Sequence, residues 1–232
     1  MLAHRYEPSN LAPKVLQSNG TFNTARLFNA ALTLVDDEGN PRPYLAEALP
    51  QLNSDNWKVF PDGTMETIYR LKPNLVWHDG TPLTAEDFVF AWKVYSSPDL
   101  VTVGTRPHNA VEEVTAPDPR TVVIAWRYPY YDAGILNTNW TPLPRHLLEE
   151  ALPEGRDFFL NRPYWTTEFV GLGPYRLDRG ERGAFIEGSS FEGHVWGKPR
   201  IDRIPIVFIG DAEVVFANLL SGEGHVPATP GP

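Results

Sequence analysis

A mixed α/β fold is what this sequence predicts, and three observations predict it. Segments of strand and helix character interleave irregularly along the 232 residues, with no internal repeat to suggest a bundle or a solenoid. The 23 prolines and 18 glycines call for many short elements joined by defined turns. The run Val76-Trp77-His78-Asp79-Gly80-Thr81-Pro82-Leu83-Thr84, continued to Trp92, spells out a strand, a turn and a helix.

The elements follow in order. A helix is expected near 24–32 and a strand near 67–71. A short strand then ends at Trp77, Asp79-Gly80 turns the chain, and Thr84 opens a helix over 84–96. Thr84 can cap the free amides of the first turn, and Asp87 can reach back to it in a capping box. Phe88, Trp92 and Tyr95 fall at i, i+4 and i+7, an apolar stripe that faces a core. Strands are expected near 121–126, 174–178, 184–188 and 204–209, and helices near 144–151 and 211–220. Asp211 caps the last helix and Gly222 supplies a left-handed stop. Residues 226–232, Val-Pro-Ala-Thr-Pro-Gly-Pro, form a breaker-rich tail with nothing to pack.

Composition narrows the function. A chain of this length buries a substantial core, in one large domain or two smaller ones. Its 7 Trp, 9 Tyr and 12 Phe supply large buried areas and argue against disorder. A net charge of −9 disfavours nucleic acid, which needs a basic face. Lys and Arg are scattered, without the run that an anionic membrane surface would attract. No apolar stretch approaches the ~20 residues that span a bilayer. The absence of cysteine excludes disulfides and thiolate metal sites.

The chemistry-bearing residues point to no catalytic constellation. His4, His78, His108, His146, His194 and His225 include no close ligand pair, and read as surface or locally hydrogen-bonded imidazoles. Gly171-Leu172-Gly173 lacks the third glycine and the following helix of a dinucleotide loop, and reads as glycines allowing a tight crossover between subdomains. Gly188-Ser189-Ser190 is not a nucleophile elbow. Asp36-Asp37-Glu38-Gly39-Asn40 is a solvated turn, because the acid spacing of a calcium loop is missing. Glu112-Glu113 and Glu149-Glu150 mark solvated faces more readily than a glycosidase pair. Trp77, Trp92 and Trp126 fit inward positions. Trp140 differs: it sits in Asn137-Thr138-Asn139-Trp140-Thr141-Pro142, a polar loop that gives an indole little reason for burial. Ser18-Asn19-Gly20-Thr21-Phe22-Asn23 is similar, and by its residues alone is an ordinary glycine-centred surface turn.

Several of these segments, read together, resemble a known family. The run from Val76 to Trp92 is similar to the signature of family 5 of the extracytoplasmic solute-binding proteins of ABC importers, the oligopeptide-, dipeptide- and nickel-binding type. Glu7 to Pro13, Leu45-Ala46-Glu47 and the strand Thr67 to Pro73 resemble the family in the same order. Ala116 to Ile124 resembles its hairpin, Leu143 to Leu148 its short helix, and Gly171 to Leu177 its return strand. Trp196 to Ile204 and Ser221-Gly222-Glu223 follow. Two departures lie near the end: a Tyr-Trp pair is present only loosely, as Phe191 and Trp196, and Gly224-His225 replaces Ile-Asp.

The resemblance implies a periplasmic-binding-protein-like fold of type II. Residues 1–45 and 168–232 would be segments of a discontinuous first lobe, and 46–167 the extra subdomain of the larger members. The second lobe would be absent, so the chain is expected to be an N-terminal portion. The implied function is capture of a small solute, an oligopeptide or dipeptide, and its delivery to the transmembrane subunits of an ABC permease. The implied place is outside the cytoplasm, in the periplasm or as a cell-surface lipoprotein. The N-terminus shows no export segment, so a trimmed mature sequence is expected. No catalysis, cofactor or metal is implied. The early loop would lie at the ligand cleft, which nominates Asn19, Thr21 and Phe22, with Asn139 and Trp140 as further ligand contacts. Alone, the 232 residues are expected to fold but to bind weakly or not at all. A standalone interaction or sensor module with half the fold, and a carbohydrate-active enzyme, are the alternatives.

Overall fold

In the computed structural model, residues 2–4, 7–8, 11–12, 26–100, 107–137, 140–221 and 226–227 are described. They fall into two units, one made of 30–160 and the other of 1–29 with 161–232. The expected boundaries stood at 45/46 and 167/168. The first lies later than the observed one because β2 (Thr33–Val35) and β3 (Pro41–Pro43) form a hairpin bound into the central unit. Thr33 donates to the Leu136 carbonyl and Lys72 to that of Leu45. The Asp36–Asn40 segment is this hairpin's turn, with Asp36 accepting from Arg42 and from the Glu38 and Asn40 amides.

The central unit is built on an antiparallel sheet of β4 (Trp57–Val59), β5 (Met65–Arg70), β6 (Val111–Asp118) and β7 (Thr121–Trp126), in the order β4-β5-β7-β6. Alternation puts Met65, Thr67 and Tyr69 on the buried face, opposite Trp126, Ile124 and Val122. Two polar atoms on that face are satisfied: the Trp126 indole donates to Thr67 Oγ1 at 2.9 Å, and the Tyr69 hydroxyl to the Ala133 carbonyl at 2.5 Å. Helix α1 (Ala85–Ser96) packs on β6 and β7. Phe88 and Tyr95 are buried as expected, but Trp92 is only half-buried, and Asp87, Ala91 and Val94 complete the inward face. The expected strand before the helix reduces to a single bridge between Val76 and Pro82, closed by Trp77 donating to Thr81 O.

Asp87 ties this unit together. Its Oδ2 accepts the Thr84 amide at 2.9 Å, the return arm of the expected capping box. Its Oδ1 accepts the Arg145 amide at 3.0 Å and so docks the short helix α2 (Arg145–Leu148). Burial pushes this carboxyl above the usual aspartate range, and the hydrogen bonds to Thr84 and Arg145 oppose that. Helix α2 continues as a 3-10 turn through Glu154 before α3 (Arg156–Leu160), because Pro153 denies an amide to the longer helix.

The discontinuous unit is a five-stranded sheet. Its strands are β1 (Leu2–His4), β8 (Tyr175–Glu181), β9 (Phe185–Ser190), β10 (Arg203–Phe208) and β11 (Val226–Pro227), in the order β11-β1-β10-β9-β8. β1 runs parallel to both neighbours, and β9 runs antiparallel to β8 on one side and to β10 on the other. Val226 and Pro227, at the head of the expected unpacked tail, are thus in the sheet; an edge strand accommodates a proline whose missing donor faces outward. Of the helix expected near 24–32, residues 26–28 are helical and 29–32 are neither helix nor strand. Here Gly171 and Gly173 press against the 27–29 backbone, and the amides of Leu172 and Gly173 both donate to Phe28 O, at 3.1 and 2.9 Å. The sequence placed these glycines at a crossover between subdomains; the close approach instead lies within the discontinuous unit. Helix α4 (Ala212–Leu220) is capped by Asp211, which accepts from the Glu213 amide.

Candidate functional site

The nominated ligand contacts divide between described and undescribed residues. Asn19, Thr21, Phe22 and Asn139 lie outside the described residues. Trp140 is described, and its setting reverses the expectation drawn from its polar loop. The side chain is fully buried in the central unit, with its ring stacked on His108 at 4.8 Å and 10°. His108 in turn meets Tyr95 edge-on at 5.0 Å, and the Tyr95 hydroxyl donates to the Thr141 carbonyl at 3.0 Å. The Trp140 amide donates to Asn137 O while the indole goes inward. Sequence gave no sign of this, because the partners Tyr95 and His108 are distant in the chain.

The remaining chemistry is structural. His146 Nε2 lies 2.8 Å from Asp79 Oδ2 and clips α2 to the turn before α1. Burial raises the Asp79 carboxyl, but hydrogen bonds from His146 and Thr81 hold it below the usual range overall. Among the described residues, no group of three or more His, Cys, Asp and Glu side chains is placed to hold a metal. Glu112 pairs with Arg127 at 2.6 Å and Glu149 with Arg145 at 3.0 Å, so these acids sit on solvated faces. In the discontinuous unit, Glu187 is clamped between Arg179 and Arg203, each at 2.9 Å. The Arg179 hydrogen bond and charge, joined by those of Arg203, hold its carboxyl below the usual glutamate range.

One hollow of ligand size lies wholly within the discontinuous unit. It measures about 520 Å³ and is floored by Leu177, Ile186 and Phe208 of the sheet. A bulge between Leu177 and Arg179 shifts the β8 register, bringing Leu177 and Gly180 to the same lining. The segment with Glu7, Pro8 and Leu11 forms one wall. It is held by three bonds: Gly183 N–H to Glu7 Oε2 at 3.0 Å, Leu11 N–H to Trp165 O at 3.2 Å, and Asn29 Nδ2 to Leu11 O at 2.8 Å. Thr166, Thr167, Glu181 and Arg182 complete the rim. The sequence reading passed over these residues, because floor and wall come from opposite ends of the chain.

Comparison with known proteins places this architecture. A putative ABC transporter peptide-binding protein of Brucella ovis is 24% identical over 209 residues, covering 90% of this chain and 37% of its own length. The oligopeptide-binding protein AppA of Bacillus subtilis is 26% identical over 207 residues, covering 85% of this chain and 35% of its own. The AppA structure, solved with a nonapeptide, superposes with a TM-score of 0.79 at 21% identity, over 96% of this chain and 42% of that one. NikZ of Campylobacter jejuni, solved with Ni(L-His), superposes with a TM-score of 0.75 at 22% identity, over 96% and 41%. The fold is that of part of a type II periplasmic binding protein, and the chain spans less than half the length of these relatives. Residues 47–232 match the model of the bacterial extracellular solute-binding proteins, family 5, and the chain belongs to that family.

Proposed function

We propose that this chain acts within the solute-binding component of an ABC importer, capturing a short peptide outside the cytoplasm for the transmembrane subunits of its permease. The family match over 47–232 carries the reading, and the names of the Brucella and Bacillus relatives supply the peptide. The mechanism is closure of two lobes around a hinge. A solute between them adds contacts that exist only in the closed state and shifts the population toward it. No bond is made or broken.

Within this reading Asn19, Thr21, Phe22 and Asn139 contact the solute. Trp140 is buried against His108 and serves the core. The test is a calorimetric titration of the complete gene product with tri- to pentapeptides, alongside small-angle scattering. Saturable binding with a decrease in radius of gyration is expected, and Phe22→Ala weakens it. Binding of a nickel–histidine chelate but of no peptide would reassign the solute. Scattering that does not change on saturation would overturn the closure mechanism.

A further inference from the structure

We propose that the hollow between the 7–11 segment and the β8–β9–β10 face binds a small zwitterion with an apolar body, such as a free amino acid or a dipeptide of apolar side chains. This goes beyond the cleft reading, because every group it needs belongs to the discontinuous unit.

Size and lining define the body of the ligand. A volume of about 520 Å³ falls in the range of small-molecule sites. The floor of Leu177, Ile186 and Phe208, with Pro8 and Leu11 beside it, offers no hydrogen-bonding side chain, so it takes an aliphatic or aromatic group. Gly180 keeps that floor open: a Cβ there would stand 3.0 Å from Ile186 Cγ2 and 3.3 Å from the Phe185 carbonyl. The wall is fixed before any ligand arrives by its bonds to Gly183, Trp165 and Asn29, and such preorganisation lowers the cost of binding.

The rim defines the ends. Glu181 and Arg182 are exposed, adjacent in the β8–β9 turn and of opposite charge, and neither has an ion-pair partner among the described residues. Glu7 uses one carboxylate oxygen on the Gly183 amide and has the other to offer. An ammonium group would find Glu181 and Glu7, and a carboxylate would find the Arg182 guanidinium. A purely apolar ligand would use neither end. A ligand of a single charge would leave the opposite rim charge unmatched.

The experiment uses the 232-residue chain, titrated with L-leucyl-L-leucine, with the same dipeptide acetylated and amidated at its ends, and with hexanoate. Binding is read by calorimetry and by amide shifts in NMR. The expected result is saturable dipeptide binding with shifts centred on Leu11, Leu177, Ile186 and Phe208. Glu181→Gln or Arg182→Ala each weaken it by about tenfold, the loss of one charge-assisted contact, and capping both ends, which removes two, weakens it by about a hundredfold. Both substitutions fall in an exposed turn, and unchanged far-UV circular dichroism confirms the fold. The proposal is overturned if no probe binds, if the capped dipeptide or hexanoate binds as well, or if the shifts lie elsewhere. Arg182→Ala in the complete gene product leaves cleft binding of peptides unchanged, so the two sites succeed or fail separately.

Discussion

Replacing Gly173 by alanine tests a backbone-on-backbone contact in the discontinuous unit. A Cβ at this position would stand 2.5 Å from the Phe28 carbonyl carbon and 2.6 Å from the Asn29 nitrogen. Ordinary van der Waals contact begins near 3.4 Å, so the chain segments must separate by most of an ångström. The obstacles are backbone atoms and cannot rotate away. Separation breaks the two hydrogen bonds that Phe28 O accepts from Leu172 and Gly173. At about 1 kcal/mol for each bond, plus about 1–3 kcal/mol for overpacking, the loss comes to about 3–5 kcal/mol. Domains of this kind hold roughly 5–15 kcal/mol in all, so the unit should melt roughly 10 °C or more lower. Urea and thermal unfolding followed by circular dichroism measure it. Gly63→Ala is the control: Gly63 has φ +86 and nothing within 4 Å, so its substitution carries only the left-handed backbone penalty, about 1–2 kcal/mol. Equal losses in the two variants would refute the steric argument.

Further substitutions probe the central unit and the charged clamp. Asp87→Ala leaves the Thr84 and Arg145 amides without their acceptor and should lose about 2–4 kcal/mol in chemical denaturation. Asp87→Asn should lose less, since it keeps one acceptor and removes a buried charge. Trp140→Ala should lose about 3–5 kcal/mol as a core cavity. Trp140→Phe should lose much less, because the indole nitrogen has no hydrogen-bond partner among the described residues. For Glu187 the sign follows from its depressed pKa, caused first by Arg179 and then by Arg203. The stabilisation is fully present above the unfolded glutamate pKa and is lost as pH falls through the lower folded value. An acid titration should therefore show wild type more stable than Glu187→Gln at neutral pH, with the two converging at low pH. A gap that stays constant with pH would show that the carboxylate charge is not its source.

Much of the fold was legible because its signals are local. The capping pair Thr84 and Asp87 and the Asp211 cap each act within a few residues, and each appears where expected. β1, β2, β3 and β4 were not foreseen. Each is three residues long, too short for alternation to show, and β1 is moreover defined by pairing with partners far along the chain. Trp92 and Trp140 exchanged roles for the same reason. Helical spacing put Trp92 on the inward stripe, yet α1 turns a face containing Asp87 inward, because Arg145 from a later segment needs its carboxylate. The polar neighbours of Trp140 suggested exposure, but Tyr95 and His108 bury it. The hollow in the discontinuous unit was invisible to any local reading, since its floor and its wall are more than 150 residues apart, as Leu11 and Leu177 illustrate.

The strand order β11-β1-β10 has a consequence for biosynthesis. Leu2–His4 leaves the ribosome well ahead of its partners on either side, Arg203–Phe208 and Val226–Pro227. Residues 30–160 are complete long before the first of these partners exists. At translation speeds of roughly 5–20 residues per second, the nascent chain carries an unpaired first strand for roughly 10–40 s. During that time the central unit can collapse from a coil of roughly 37 Å radius of gyration to a body of roughly 14 Å, drawing the two flanks of the interrupted unit toward each other. An early-folding insert of this kind acts as an intramolecular spacer, and Leu2–His4 gains its strand partners only after that insert is complete.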